Sequence, residues 1–292
     1  MNKLITVVGT TASGKSDLGI ILAQKFNGEV ISCDSRQVYK GLDLGTGKVT
    51  KEEQRMAVHH LIDIINPNEK FSLAEYQKLA YNAINGCFKR NKQPFLVGGT
   101  GLYSRAVAEG YNFESELDDN ALRDQINKLT KEQMIAELLS YGEEVPEGLS
   151  PRHLARRLEK AKKGVAKTSN KPLYEVLQLV MVPERSVLYE RIKIRLDKRL
   201  QLGMIDEVKL LKQQGATNEF LEGLGLEYRY INRYINGEYT YEQFYEELLK
   251  QIRHFAKRQT TWFKKEKNAL WLDMNGNFEE EAVCAVNAFL KK

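Results

Sequence analysis

The sequence predicts an α/β protein: a mostly parallel sheet flanked by helices and interrupted by an all-helical insertion. Three observations carry that reading. Apolar runs at residues 3–8, 29–33, 94–98, 175–182 and 269–272 alternate, for the most part, with helical patterns. The first run leads directly into Gly9-Thr10-Thr11-Ala12-Ser13-Gly14-Lys15-Ser16, a complete G-x-x-x-x-G-K-[ST] loop, with a helix-period segment behind it. The strand pattern then vanishes over residues 112–171 and returns afterwards. The expected organisation is a P-loop NTPase-like core, residues 1–111 and 172–292, carrying a helical insertion at 112–171.

Each element has a local reason. Leu4-Ile5-Thr6-Val7-Val8 is β-branched and apolar, as a buried parallel strand requires. Behind the glycine loop, Leu18, Ile21, Leu22 and Phe26 recur at helical spacing. Ser72 can cap a helix over residues 72–91, whose apolar face is Leu73, Tyr76, Leu79, Ala80, Ala83 and Ile84. Pro94 opens the strand Phe95-Leu96-Val97, which ends in Gly98-Gly99. Within the insertion, residues 117–141 read as helices, with Thr130-x-x-Gln133 as a capping box. Ser150-Pro151 starts a helix that runs to Gly164. The core resumes at Tyr174, and Pro183 opens a long helix through Leu200.

Composition narrows the function classes. No apolar run approaches the roughly 20 residues that span a bilayer, and Met1-Asn2-Lys3 leads straight into the first strand, so a soluble cytoplasmic protein without a leader is expected. Cys33, Cys87 and Cys284 form no C-x-x-C pair, which argues against a disulfide framework or a structural zinc. The net charge of +5 is unevenly placed. Residues 152–171 set eight basic side chains against Glu159, and residues 249–267 set seven against Glu266, leaving the remaining chain at −8. One such run is usually a solvated helix face. Two runs, the second interleaved with Phe255, Trp262 and Phe263, favour a nucleic-acid backbone.

Strand, glycine loop and helix start together aim backbone N–H groups and a helix N-terminus at an anion. Lys15 reaches the outer phosphate, and the Ser16 hydroxyl takes Mg²⁺. An ordinary nucleotide-hydrolysing relative has a Walker B carboxylate at a second strand end, but Phe95-Leu96-Val97 ends without an acid. The strand 29–33 does end in one, Asp34, followed by Ser35-Arg36-Gln37. Strand carboxyl ends line the ligand crevice of an open sheet, so Asp34 is expected to face the loop. Helix cap, Mg²⁺ ligand and general base are all open to it. Thr100, after Gly98-Gly99, brings a hydroxyl to the same crevice. Arg191 and Arg195 share one helix face, as an anion clamp or as solvated charge. The adjacent His59 and His60 point to opposite sides of an extended segment and are expected to be structural or hydrogen-bonded.

The segments GTTASGKS (9–16), ISCDSRQVYKGLDLGTGK (31–48), HHLID (59–63), GGTGLY (98–103), LYERIKIRLDKRL (188–200) and AKRQTTWFKK (256–265), in this order, resemble the bacterial tRNA dimethylallyltransferases. The resemblance implies transfer of a dimethylallyl group from its diphosphate to N6 of adenosine 37 of tRNA, 3′ of the anticodon. It implies that Gly9, Thr10, Thr11, Ala12, Ser13, Gly14, Lys15 and Ser16 hold the donor, with Thr11 and Lys15 among its contacts. Asp34 matches the general base, Asp34, Ser35, Arg36 and Gln37 the stretch that grips the target base, and Arg195 the arginine on the diphosphate. Thr100 matches a position at the reaction and on the tRNA. Arg123, Arg152, Arg156, Arg157, Arg258 and Gln259 match positions that meet the RNA. The implied partners are dimethylallyl diphosphate, Mg²⁺ and a tRNA anticodon stem-loop, bound by a monomer with no membrane. Thr10 stands where the family usually has proline, and His153 where it has arginine, with Arg152 or Arg157 placed to compensate. Leu224-Gly225-Leu226-Glu227-Tyr228 matches the family's I-G-Y-K-E only loosely.

Rival readings are a small-molecule kinase with ATP on the loop, an isopentenyltransferase acting on free adenine nucleotides, and a non-enzymatic RNA module. The basic stretches argue against the first two, since a mononucleotide needs no such surface. An Asp34 aimed at the loop argues against the third.

Overall fold

A computed structural model describes residues 1–113, 120–164, 170–266 and 268–292. A six-stranded, all-parallel sheet forms its centre: β1 (Asn2–Gly9), β2 (Gly28–Ser32), β3 (His59–His60), β4 (Gln93–Gly98), β5 (Tyr174–Met181) and β6 (Leu270–Trp271), in spatial order β3-β2-β4-β1-β5-β6. β1 lies inside the sheet, pairing Ile5 with Phe95 on one side and with Leu177 on the other. Its side chains alternate between two cores, as the period-2 pleat demands. Ile5 and Val7 pack with Leu18 and Leu22 of α1 (Lys15–Lys25) and with Val286 of a C-terminal helix. Leu4 packs on the other face with Tyr76 and Ile84 of a second helix.

The expected helix behind Ser72 is present as α3 (Leu73–Lys89), after a short α2 (Lys51–Met56), and Ser72 and Glu75 make a reciprocal capping box. α4 (Gly101–Glu109) follows β4. β3, only two residues long, was not among the expected strands. His59 Nδ1 donates to the Ala57 carbonyl (2.8 Å), and His60 bonds Glu29 (2.6 Å). Glu29, His60 and Cys87 converge, but the cation among them is the Arg90 guanidinium, 2.6 Å from the Glu29 carboxylate.

Residues 110–171 form a separate compact unit. Its helices are α5 (Asn120–Asn127), α6 (Lys131–Ser140) and α7 (Pro151–Lys162), packed through Ile126, Met134, Leu138, Leu154 and Leu158. Thr130 makes the expected capping box with Gln133, and Ser150 caps α7 ahead of proline. Residues 117–119 of the expected helix, and Lys167 and Lys267 of the basic stretches, lie outside the described residues.

After β5 the chain builds a helical layer: α8 (Arg185–Gln201), α9 (Met204–Gln213), α10 (Asn218–Leu224), α11 (Leu226–Ile235) and the 23-residue α12 (Tyr241–Phe263). Leu188, Ile192 and Leu196 of α8 pack there with Ile231, Phe244, Leu248 and Ile252. The last helix, α13 (Phe278–Lys291), returns to the sheet. No described helix is long and apolar enough to cross a membrane.

Candidate active site

The glycine loop joins β1 to α1 and turns on left-handed backbone at Ala12 (φ 60°) and Gly14 (φ 88°). Gly14 is the N-cap of α1 and lacks the Cβ that would disfavour this turn. The N-terminus of α1 thus meets the loop, where its first N–H groups favour an anion. The Ser13 hydroxyl is buried and has no partner among the described residues, as a group awaiting a ligand oxygen would be. Lys15 Nζ donates to the Thr10 carbonyl at 3.1 Å. Burial, and then repulsion from Arg195, lowers its pKa to about 8.

Two cavities flank Lys15. One, of about 280 Å³, is lined by Thr11, Lys15, Asp34, Ser35, Arg36, Thr100, Arg195, Arg199, Arg258 and Gln259, with an apolar wall of Leu102, Leu226, Ile252, Phe255 and Trp262. The other, of about 640 Å³, is lined by Ser13, Gly14, Ser16, Arg191 and Lys198 among others. Lys15, Arg195 and Arg199 line both. The Arg195 guanidinium donates to the Thr11 hydroxyl. Burial and the neighbouring Arg199 hold Arg195 below the ordinary arginine value. Arg191 and Arg195 do share a face, and both reach the second cavity.

Asp34 follows β2 and opens into the first cavity together with Lys15. One of its oxygens accepts the Arg36 backbone N–H at 2.9 Å, a local turn that leaves the carboxylate a further acceptor oxygen. Thr100 connects neighbouring strand ends: its hydroxyl accepts the Ser35 N–H at 3.2 Å, and its N–H donates to the Cys33 carbonyl at 3.2 Å. Gln37 donates to the Gly47 carbonyl at 3.2 Å, so part of its amide serves the loop that follows.

Two groups of residues expected at the RNA also have partners inside the protein. Gln259 was expected at the RNA, yet it is buried, and both ends of its amide are used inside the protein. It accepts the Thr11 N–H at 2.8 Å and donates to the Gly99 carbonyl at 2.9 Å. The basic stretch of the insertion is also less free than its charge implied. Glu159 is buried, bonding Arg123 (3.1 Å), Arg156 (3.2 Å) and Lys163 (3.2 Å), and Arg157 bonds Glu143 (3.3 Å). Burial opposes the charge of Glu159, but its bonds to Arg123 and Lys163 outweigh that and lower its pKa. Arg152 is exposed, and in the core unit Lys257 and Arg258 are exposed on α12.

The sequence reading missed Arg199 and Glu227. Arg199 continues the i, i+4 series begun by Arg191 and Arg195, so one further step along the helix finds it. Glu227 lies in the loosely matching 224–228 segment, where nothing local marks it, because its partner Arg36 is 191 residues away.

Residues 37–266 match the IPP transferase family, and residues 2–63 match a model described as isopentenyl transferase. A tRNA dimethylallyltransferase 2 of Shewanella sediminis is 42% identical over 302 residues, covering 98% of each chain. A tRNA dimethylallyltransferase of Streptococcus thermophilus is 40% identical over 265 residues, covering 90% of this chain and 88% of that one. The structure of a full-length tRNA isopentenylpyrophosphate transferase from Bacillus halodurans superimposes with a TM-score of 0.76 at 35% identity, covering 100% of this chain and 96% of that one. A eukaryotic dimethylallyltransferase acting on tRNA gives 0.85 at 25% identity, covering 100% of this chain and 80% of that one. The chain belongs to the IPP transferase family.

Proposed function

We infer that the protein transfers the dimethylallyl group of dimethylallyl diphosphate to N6 of adenosine 37 of tRNA, giving N6-dimethylallyladenosine and diphosphate. The observation that carries this reading is the placement of Asp34 in one cavity with Lys15, Arg195 and Arg199. A carboxylate beside three cations suits a displacement in which an anion departs while a proton is removed.

The N6 lone pair is delocalised into the adenine ring, so N6 is a poor nucleophile until its proton is taken. As the N6–carbon bond forms, the carbon–oxygen bond of the donor breaks and its electron pair leaves on the diphosphate. The N6 proton passes to the Asp34 carboxylate. Lys15, Arg195, Arg199 and the loop N–H groups stabilise the negative charge that grows on the leaving group. The apolar wall of Leu102, Leu226 and Ile252 offers the prenyl chain a dry surface. Ser16, on the second cavity beside the loop, is the residue to hold Mg²⁺, which would add positive charge at the diphosphate. The target base must leave its stack at a cost of about a few kcal/mol. Phosphate contacts from Arg152 on the insertion and from Lys257 and Arg258 on α12 would offset it.

Incubation with bulk unmodified tRNA and either dimethylallyl diphosphate or ATP tests this. Prenylated adenosine in the nuclease digest, with diphosphate released in equal amount, is the expected result. Phosphoryl transfer from ATP with no prenylation would favour the kinase reading instead.

A further inference from the structure

Glu227 has no place in the chemistry above, yet it is buried, with 7% of its surface exposed, at the first turn of α11. Its two oxygens face different arginines. One is 3.4 Å from Arg36 Nη1, and the other is 4.0 Å from Arg199 Nη1. Both distances exceed the roughly 2.7–2.9 Å of a full charge-assisted bond. The carboxylate is shared between two guanidiniums and fully satisfies neither.

The two arginines belong to different halves of the site. Arg199 stands on α8 beside Arg195 and Lys15, where the proposed diphosphate sits. Arg36 follows Asp34 in the segment beside the proposed acceptor. Its guanidinium lies over the Phe255 ring at 5.4 Å and against Gly225, where any Cβ would come within 2.5 Å of it. Arg36 is therefore confined to a narrow slot whose charged end is set by Glu227. Among the described residues, the first cavity is lined by five cations, Lys15, Arg36, Arg195, Arg199 and Arg258, against two carboxylates, Asp34 and Glu227. A diphosphate entering it competes with Glu227 for Arg199.

We propose that Glu227 is a positioning residue that couples the two substrates through its shared hold on Arg199 and Arg36, an inference that rests on the function proposed above. When the diphosphate draws Arg199 toward itself, Glu227 closes on Arg36 and fixes that side chain for the RNA. Donor binding thereby strengthens acceptor binding, and by thermodynamic linkage the reverse holds by the same factor.

The test is a binding cycle with inorganic diphosphate and unmodified tRNA. Diphosphate should raise the tRNA affinity of the wild-type protein about fivefold or more. Glu227→Gln should bring that factor to about one while binding diphosphate alone more tightly, because Arg199 is no longer shared. Arg36→Met keeps the packing on Phe255 and removes the ion pair, so it should also abolish the coupling, and it serves if the glutamine variant fails to fold. A merely structural role for Glu227 would weaken both ligands together and leave their ratio intact. Absence of coupling in the wild type, or its persistence in either folded variant, overturns the proposal. Wild-type protein that binds neither ligand would instead overturn the proposed function.

Discussion

Gln259 accepts the backbone N–H of Thr11 at 2.8 Å, and this bond ties α12 to the phosphate loop. The same amide donates to Gly99, so one side chain joins three segments far apart in sequence. Gln259→Ala would leave the part-buried Thr11 N–H and the buried Gly99 carbonyl without this partner, at a cost of about 1–3 kcal/mol for the carbonyl and less for the N–H. Urea unfolding should show that loss. Gln259→Glu keeps the acceptor for Thr11, so it should retain more stability than alanine. Its negative charge should nevertheless raise the KM for dimethylallyl diphosphate well above the wild-type value. Equal donor KM for wild type and Gln259→Glu would show that this position does not sense the donor.

Lys15 gives a pH signature. Burial lowers its pKa from 10.5 to about 8, and a bound diphosphate would restore its charge. As pH rises above about 8 the free protein loses the proton that the complex needs, so the Lys15 contribution to affinity falls about tenfold per pH unit until the ordinary value is reached. Lys15→Ala carries only the ligand's own ionisation. The wild-type to Lys15→Ala ratio of diphosphate affinities should therefore decline between pH 8 and 10.5. A flat ratio would remove Lys15 from the anion site.

Glu159 should hold the insertion together rather than touch RNA. Its cations are partly exposed, with side-chain exposures of 37%, 41% and 17% for Arg123, Arg156 and Lys163, so solvent screens each pair. Glu159→Gln should cost about 1–3 kcal/mol, below the range for a fully buried pair. Hydrogen exchange should speed up in α5 and α7, with diphosphate affinity unchanged. The lowered pKa of Glu159 means that this stability is present above the ordinary carboxylate value and fades as pH falls below it. Unchanged exchange in both helices would contradict the role.

RNA contacts should come from the exposed basic residues. Neutralising Arg152, Lys257 or Arg258 should each flatten the slope of log tRNA affinity against log salt by about one, with the donor KM unchanged for Arg152 and Lys257, which do not line the first cavity. An unchanged slope for all three would return both basic stretches to ordinary surface charge.

The sheet was legible because its longer strands are rich in β-branched and apolar residues, and most are bounded by glycine, proline or a loop motif. β3 was not, since two histidines paired to Val30 and Ile31 carry no strand signature of their own. The individual helices of the layer after Leu200 were not legible, because its core forms between helices and is not repeated along one segment. At the site, Asp34 and Lys15 announced themselves through strand ends and the loop motif. Gln259 and Glu227 depend on partners more than 150 residues away, Gly99 at a separation of 160 and Arg36 at 191, and no local pattern encodes such a contact.

The most direct measurement is single-turnover prenyl transfer to tRNA by Asp34→Ala, with diphosphate affinity determined on the same protein. A general base in this position contributes roughly 10²–10⁴-fold. Transfer should therefore slow by about that factor while diphosphate binds as it does to wild type. Transfer within about threefold of wild type, well below that range, would contradict the assignment of Asp34 as the base that takes the N6 proton.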